Sequence, residues 1–119
     1  MPSCVRRSLF EFAVMRQISA GELKDWLADE SRPQPVLLDV REPHEFAAYR
    51  IEGAQLMPMQ TVPARLEELD RQRDIVMICH SGVRSHHAGL FLKQNGFERV
   101  HNLAGGVVAW AHEAETGAG

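Results

Sequence analysis

The sequence has few cysteines, and the two it has, Cys4 and Cys79, stand far apart in a chain of 119 residues. This scarcity argues against the disulfide framework that staples many small secreted domains. A chain of this length buries about two-thirds of the surface that its unfolded form exposes, so it needs no such staple. The sequence therefore predicts one domain with its own hydrophobic core.

Excess charge and long apolar runs are also lacking. The formal net charge of −3 gives no electrostatic footprint for nucleic acid or an anionic membrane, and no segment approaches the length of a membrane span. Glu11 interrupts the first apolar stretch, and no small-residue cleavage pattern follows, so a signal peptide is not expected. These features predict a cytoplasmic protein that binds neither nucleic acid nor membrane.

The chain has no repeats or low-complexity tracts that would divide it further. We expect the domain to cover residues 15–115, with 1–14 as a flexible extension and 116–119 as a flexible tail. Met15 is then a candidate alternative start, and Cys4 is interpreted as a tail cysteine. Because nothing in the sequence indicates an obligate interface, the expected state is a monomer.

Apolar runs alternate with segments of helical periodicity. Strands are predicted at 15–19, 36–40, 53–59, 74–79 and 98–103, and helices at 20–29, 41–49, 61–70, 84–96 and 105–114. Ser19 and Thr61 are candidate helix caps, and Leu90 and Phe91 are expected to face inward. This alternation predicts a three-layer α/β domain with a mainly parallel sheet, in which ligands bind beyond the carboxyl ends of the strands.

Cys79 stands at such a strand end and begins the segment "CHSGVRS". A reactive thiolate needs positive charge or inward-pointing N–H groups around it. A strand-loop-helix turn can supply both, because its amides curl around the sulfur and the helix presents its positive dipole end. Gly82 permits a tight turn, Arg84 adds a permanent charge, and Ser81 and Ser85 add hydroxyl donors. The pattern predicts an activated nucleophile.

Cys79 has two other possible roles, a packed core residue and a metal ligand. A cysteine that ends a buried strand is often only a small packed hydrophobe, but this leaves the glycine, arginine and serines behind it unexplained. A metal site would recruit His80, His86 and His87, yet adjacent histidines on a helix point to different sides. No paired-cysteine or HExxH spacing is present. We therefore expect neither a metal nor another cofactor, with one of His86 and His87 exposed and the other partly buried.

Four separated segments, in order, resemble the signatures of the single-domain rhodanese (thiosulfate sulfurtransferase) family. They are "LLDVREPHEF", "RIEGAQLMP", "IVMICHSGVRS" and "GFERVHNLAGGVVAW", and the resemblance as a whole runs from about residue 18 to 110. The matching residues outside the cysteine loop are Asp39, Arg41, Glu45, Gly105, Gly106 and Trp110. Arg50 stands where the family usually has histidine, and we interpret it as a surface charge.

The resemblance implies a five-stranded parallel sheet flanked by helices on both faces. It also implies that Cys79 takes sulfane sulfur from a donor such as thiosulfate, holds it as a persulfide, and passes it to cyanide or a thiol acceptor, which could be a protein thiol. The residues implied to cradle the substrate are His80, Ser81, Gly82, Val83, Arg84 and Ser85, with Arg84 as the anion contact. Asp39 and Arg41 are interpreted as a partly buried ion pair that supports the loop.

The sequence is also compatible with two alternative functions, a cysteine-dependent phosphatase and a non-catalytic binding module. Cysteine-dependent phosphatases of the same fold have a longer loop between nucleophile and arginine, whereas four residues separate Cys79 from Arg84 here. The shorter loop favours sulfur transfer over phosphate binding. A non-catalytic binding module of this fold is the other alternative, and such modules often lack the cysteine or the arginine that this chain keeps.

Overall fold

The computed structural model describes residues 15–116, with side chains to residue 113. The predictions for residues 1–14, Cys4 included, and for 117–119 lie outside it. The strands are β1 (Arg16–Ile18), β2 (Val36–Asp39), β3 (Gln55–Leu56), β4 (Ile75–Ile78) and β5 (Val100–Leu103). The helices are α1 (Ala20–Ala28), α2 (Pro43–Ala48), α3 (Val62–Arg65), α4 (Val83–Gln94) and α5 (Gly106–Thr116), with 3-10 turns at Met59–Thr61 and Leu66–Glu68.

The five strands form one sheet in the order β1-β5-β4-β2-β3, and every neighbouring pair is parallel. The central strand β4 pairs with β2 on one side and with β5 on the other, and all four of its residues are buried. Burial from both faces explains why β4 is a continuous apolar run rather than an alternating one. The predicted parallel α/β fold is confirmed.

Two apolar clusters cover the two faces of the sheet. Leu37, Val76 and Ile78 belong to the cluster under α1 and α5, whereas Leu38, Ile75 and Met77 belong to the cluster under α4. Successive side chains of a strand point to opposite faces. Cys79 follows Ile75 and Met77 in this alternation and is a member of the same cluster. The fold therefore directs the Cys79 side chain towards the beginning of α4.

The helix ends test the predicted caps. The Ser19 prediction is confirmed, because its hydroxyl accepts from the Glu22 amide at 3.0 Å and the Glu22 carboxylate accepts from the Ser19 amide at 2.8 Å. The Thr61 prediction is wrong. Thr61 ends a 3-10 turn with helical backbone angles, and its hydroxyl donates to the Pro58 carbonyl at 2.7 Å. A residue with such angles cannot act as an extended N-cap, and the predicted helix breaks into α3 and a 3-10 turn.

Leu90 and Phe91 pack against the apolar cluster under α4, as expected of inward-facing residues, but the fully buried positions of the helix are others. Its buried apolar positions are Ala88, Gly89 and Leu92, while Leu90 and Phe91 are only partly buried. A Cβ on Gly89 would meet the Met15 methyl group at 2.6 Å, so small residues are what allow α4 to lie close to the sheet. None of the helices in residues 15–116 is long and apolar enough to cross a membrane.

Candidate active site

The loop after β4 is fixed from outside by the start of α5. The Val107 amide donates to the Cys79 carbonyl at 2.9 Å, and the Val108 amide donates to the His80 carbonyl at 3.2 Å. This close approach requires Gly106, because a Cβ there would collide with both carbonyl oxygens. With the carbonyls turned towards α5, the amides that follow in the loop are free to turn towards the sulfur.

The Cys79 sulfur lies at the centre of this loop and is buried, with 1% of the residue exposed. The Gly82 amide donates to Sγ at 3.1 Å, and Ser85 Oγ lies 3.3 Å from it. Gly82 reaches this position with a φ of 101°, a conformation that residues with a Cβ rarely adopt. The predicted cradle of amide and hydroxyl donors is thus present around the thiol.

Two opposing influences act on the pKa of the Cys79 thiol. Burial is the largest and raises the pKa, because the thiolate loses hydration. Hydrogen bonds from the Ser85 hydroxyl and from the amides of residues 81, 82 and 85 lower it. The donors together outweigh burial, and the pKa lies below its ordinary value. The neutral groups of the loop therefore favour a reactive thiolate.

Arg84 points to a carboxylate rather than to the sulfur. Its Nη1 and Nη2 atoms each lie 2.9 Å from an oxygen of Glu45 on α2. This two-pronged contact, together with the Glu42 amide, lowers the pKa of Glu45 to about 2. The sequence prediction placed Arg84 on the substrate anion and gave Glu45 no role. The Arg84 side chain is 39% exposed, and its guanidinium has more N–H donors than the two that Glu45 occupies, so a second anion can still reach it.

Asp39 and Arg41 form an ion pair at the carboxyl end of β2. The Arg41 guanidinium contacts both carboxylate oxygens at 2.8–3.1 Å, and its Nη2 also donates to the Tyr49 carbonyl at 2.6 Å. The pair was predicted to be partly buried, and it is almost fully buried, with 0% and 3% of the side chains exposed. Among the described hydrogen bonds none joins either residue to the sulfur, as expected of a supporting pair.

Asn102, which the sequence analysis did not select, lies directly behind the sulfur. It is 2% exposed, and its Oδ1 is 2.5 Å from Ser85 Oγ. Its Nδ2 donates at 3.1 Å to the Gly82 carbonyl and at 3.1 Å to Gln17 Oε1. Asn102 thus contacts both residues that hold the sulfur. The available signal was a polar amide in a strand whose four residues are all buried.

The remaining predicted residues of the loop line its mouth. His80, Ser81 and Val83 are exposed, and Val83 begins α4. His87 is exposed and His86 partly buried, as expected, with His86 Nδ1 3.4 Å from Gln17 Nε2. Within residues 15–116 no three His, Cys, Asp or Glu side chains come together in a way that could hold a metal ion.

Comparison with known proteins agrees with this geometry. The family model of the rhodanese-like domain, which describes the sequences of that family, matches residues 19–113, most of the chain. The chain belongs to the rhodanese-like domain family. A curated relative named sulfurtransferase, from Allochromatium vinosum, is 40% identical over 98 residues, which cover 82% of this chain and 90% of the relative.

Two solved rhodanese-like structures share the fold of this domain. A rhodanese-like domain protein from Staphylococcus aureus superposes with a TM-score of 0.75 at 36% identity, covering 81% of this chain and 91% of the other. A rhodanese-related protein from Thermoplasma volcanium has a TM-score of 0.74 at 30% identity, covering 82% of this chain and 92% of the other.

Arg50, which departs from the usual rhodanese histidine, is exposed, and its guanidinium lies 4.9 Å from the centre of the Phe46 ring.

Proposed function

We propose that this rhodanese-like domain is a thiosulfate sulfurtransferase that carries sulfane sulfur as a persulfide on Cys79. Membership of the family supports a sulfurtransferase-type function. The observation that carries the proposal is the position of the Cys79 sulfur, buried at the centre of a loop whose Gly82 amide and Ser85 hydroxyl lie 3.1 and 3.3 Å from it. These donors suit a sulfur atom that gains negative charge during the reaction.

Loading begins with the Cys79 thiolate. It attacks the outer sulfur of thiosulfate, and a new S–S bond forms between that sulfur and Sγ. The bond between the two sulfur atoms of thiosulfate breaks, and its electron pair leaves with sulfite. The products are the Cys79 persulfide anion and sulfite, so charge and sulfur balance. The lowered pKa of the Cys79 thiol increases the fraction of the attacking species at neutral pH.

Discharge returns Cys79 to the thiolate. A thiophilic acceptor attacks the outer sulfur of the persulfide, and the electron pair of the S–S bond returns to Sγ. Cyanide leaves as thiocyanate, and a thiolate acceptor leaves as a new persulfide. A cavity of about 290 Å³ beside the loop, lined by Ser81, Gly82, Val83 and Asn102 among others, gives an acceptor room to approach. A protein thiol is the proposed physiological acceptor.

The loop residues 80–85 are the proposed binding site for the donor. The amides that face the sulfur suit the outer sulfur of thiosulfate, and the exposed edge of the Arg84 guanidinium suits its oxygens. In this assignment Arg84 serves two anions, because Glu45 occupies one edge and leaves the remaining donors to the substrate. Asp39 and Arg41 support the loop without touching the donor.

The test uses purified full-length protein. Thiosulfate alone is expected to add one sulfur atom to Cys79, detected by intact-protein mass spectrometry and removed by cyanide. In steady state, thiosulfate and cyanide are expected to give thiocyanate. Cys79→Ser is the catalytic variant. Ser31→Ala, which changes an exposed serine in the turn after α1, is the matched control and should behave as wild type.

Equal thiocyanate formation by wild type and Cys79→Ser would refute the proposal. Hydrolysis of an aryl phosphate by wild type, without sulfur loading, would favour the phosphatase instead. Absence of both reactions, with Cys79 unreactive towards persulfide donors as well, would favour the non-catalytic binding module. Loading from a low-molecular-weight persulfide but not from thiosulfate would keep the sulfurtransferase and reject thiosulfate as its donor.

A further inference from the structure

The hydrogen bonds behind the sulfur have a fixed direction. The Gly82 carbonyl can only accept, so the Asn102 atom 3.1 Å from it must be the amide nitrogen. The other end of the side chain, Oδ1, therefore faces Ser85 Oγ at 2.5 Å. Since Oδ1 can only accept, this contact is a hydrogen bond that the Ser85 hydroxyl donates.

Ser85 has one hydroxyl proton and two neighbours that can accept it. Oδ1 of Asn102 lies on one side at 2.5 Å, and Sγ of Cys79 lies on the other at 3.3 Å. All three residues are buried, at 2% exposure or less. The acceptor to which the hydroxyl does not point therefore has no bulk water to supply a replacement hydrogen bond. The hydroxyl can therefore stabilise the thiolate only by leaving the carbonyl oxygen of Asn102.

We propose that Asn102 is a positioning residue. Its Oδ1 accepts the hydrogen bond of the Ser85 hydroxyl whenever the Cys79 sulfur is uncharged, and it competes with the sulfur for that hydrogen bond whenever the sulfur becomes a thiolate. Asn102 thereby opposes the thiolate that Ser85 favours. The same side chain also fixes the Gly82 carbonyl, so a structural role and a competing role make opposite predictions for its removal.

Applied to sulfur transfer, this inference rests on the proposed function. In the persulfide anion the negative charge resides mainly on the outer sulfur, and Sγ is close to neutral. The Ser85 hydroxyl then donates its hydrogen bond to Asn102 Oδ1 again, and no hydrogen bond is lost. Asn102 accordingly disfavours the discharged thiolate relative to the loaded persulfide, which keeps the thiolate nucleophilic towards the donor.

The acidic and arginine side chains around the loop are paired, and its histidines lie at the cavity beside it: His86 Nδ1 is 3.4 Å from Gln17 Nε2, and His87 is exposed. From α2, Glu45 is paired with Arg84 of α4, and from the end of β2, Asp39 is paired with Arg41. His80 belongs to the loop itself and is exposed. From β5, His101 lies 3.1 Å from Asp74, and its ring packs against Trp26 of α1. Among the described hydrogen bonds, none of these ion pairs includes Asn102 or the Ser85 hydroxyl. We therefore expect a shift in the titration of Cys79 on replacing Asn102 to report on Ser85 and Asn102.

The experiment measures the rate at which iodoacetamide alkylates Cys79 as a function of pH, with the sites resolved by mass spectrometry. The midpoint gives the pKa of the thiol without any need for sulfur transfer. In Asn102→Leu the competing acceptor is gone, and the midpoint should fall by roughly 0.5–1 unit, the equivalent of one neutral hydrogen bond. In Asn102→Asp an acceptor oxygen remains whether or not the carboxyl is ionised, so the midpoint should stay at or above wild type.

Two further proteins separate the competing role from loosening of the loop. With Ser85→Ala the midpoint should rise. Adding Asn102→Leu to Ser85→Ala should leave the midpoint at that raised value, because no hydroxyl remains to be released. Gln17→Leu removes one partner of Asn102 Nδ2 and the 3.4 Å contact with His86 Nδ1. It leaves Asn102 Oδ1 beside the Ser85 hydroxyl, so the midpoint should stay unchanged. Circular dichroism confirms that each variant is folded.

A midpoint in Asn102→Leu that is unchanged or raised would overturn the inference, and so would an equal fall in the Ser85→Ala background. Should Asn102→Leu not fold, a fall in the midpoint of the isosteric Asn102→Asp would overturn it as well. Failure of the proposed function looks different, because it would abolish thiocyanate formation while leaving these alkylation midpoints as expected.

Discussion

Replacing Arg41 tests the support that the buried ion pair gives to the active-site loop. Arg41→Met keeps the length and apolar stem of the side chain but removes the guanidinium. Asp39 then loses three side-chain contacts of 2.8–3.1 Å and keeps only the Arg41 backbone amide at 3.0 Å. The Tyr49 carbonyl loses its donor as well. A carboxylate with no exposed surface is left without a counter-charge.

The magnitude follows from that burial. Removing one partner of a buried pair costs about 3–5 kcal/mol, because the other charge stays desolvated and unpaired. A change of 1 kcal/mol shifts the melting temperature of a domain of this size by roughly 4 °C. We therefore expect Arg41→Met to melt about 12–20 °C below wild type. At low temperature, where it is folded, thiosulfate should still load its Cys79.

The assay is thermal unfolding followed by circular dichroism, with two matched variants. Arg65→Met breaks an exposed pair with Glu68, and its melting temperature should stay close to that of wild type. In Asp39→Leu combined with Arg41→Met no buried charge remains, so most of the lost stability should return. If Arg41→Met melts like Arg65→Met, the pair does not support the fold. If the folded Arg41→Met cannot be loaded, Arg41 takes part in the chemistry.

The remaining predictions concern the arginine and the glycine that border the loop. Arg84 lowers the pKa of Glu45 to about 2, so this pair contributes stability that is complete above the ordinary carboxyl pKa of 4.5 and is lost as the pH falls towards 2. Glu45→Gln should flatten the melting temperature over that interval, and an unchanged acid profile would contradict the pairing. Arg84→Ala should raise the KM for thiosulfate, whereas Glu45→Gln should lower it by freeing the guanidinium; equal KM values would remove Arg84 from anion binding. Gly106→Ala should slow iodoacetamide alkylation and sulfur loading of Cys79, because its Cβ pushes the Cys79 carbonyl outward; wild-type rates would show that the loop tolerates the displacement.

Local patterns were sufficient to predict most of the fold and the centre of the site. The apolar run 75–78 predicted a strand buried on both faces, and the segment that follows it predicted a cysteine cradled by amides. Each depends on neighbours within a few residues. The Ser19 cap is another contact of this kind, since its partner Glu22 is three residues away.

Contacts between distant segments could not be predicted in the same way. Glu45 and Arg84 are 39 residues apart, and Ser85 and Asn102 are 17 apart. These pairs meet only because the parallel sheet brings the ends of β2, β4 and β5 to one edge. No periodic pattern in the sequence indicates that these distant residues will be neighbours. The prediction for Arg84 therefore named a charge in the loop but not the carboxylate that partly neutralises it.

That pairing bears on how, in the proposed sulfur transfer, the Cys79 sulfur can be both a nucleophile and a leaving group. Four residues between Cys79 and Arg84 place the arginine in the first turn of α4, from which its guanidinium reaches Glu45. In the part of the chain that the structure describes, the donors that lower the pKa of the Cys79 thiol are backbone amides of the loop and the Ser85 hydroxyl, all of them neutral. A full positive charge on the sulfur would lower the pKa of the thiol further, but nucleophilicity falls as the pKa falls. Neutral donors, with the Asn102 carbonyl oxygen proposed to compete for one of them, lower the pKa of the thiol less than a full positive charge on the sulfur would. In the proposed sulfur transfer this preserves the nucleophilicity of the thiolate.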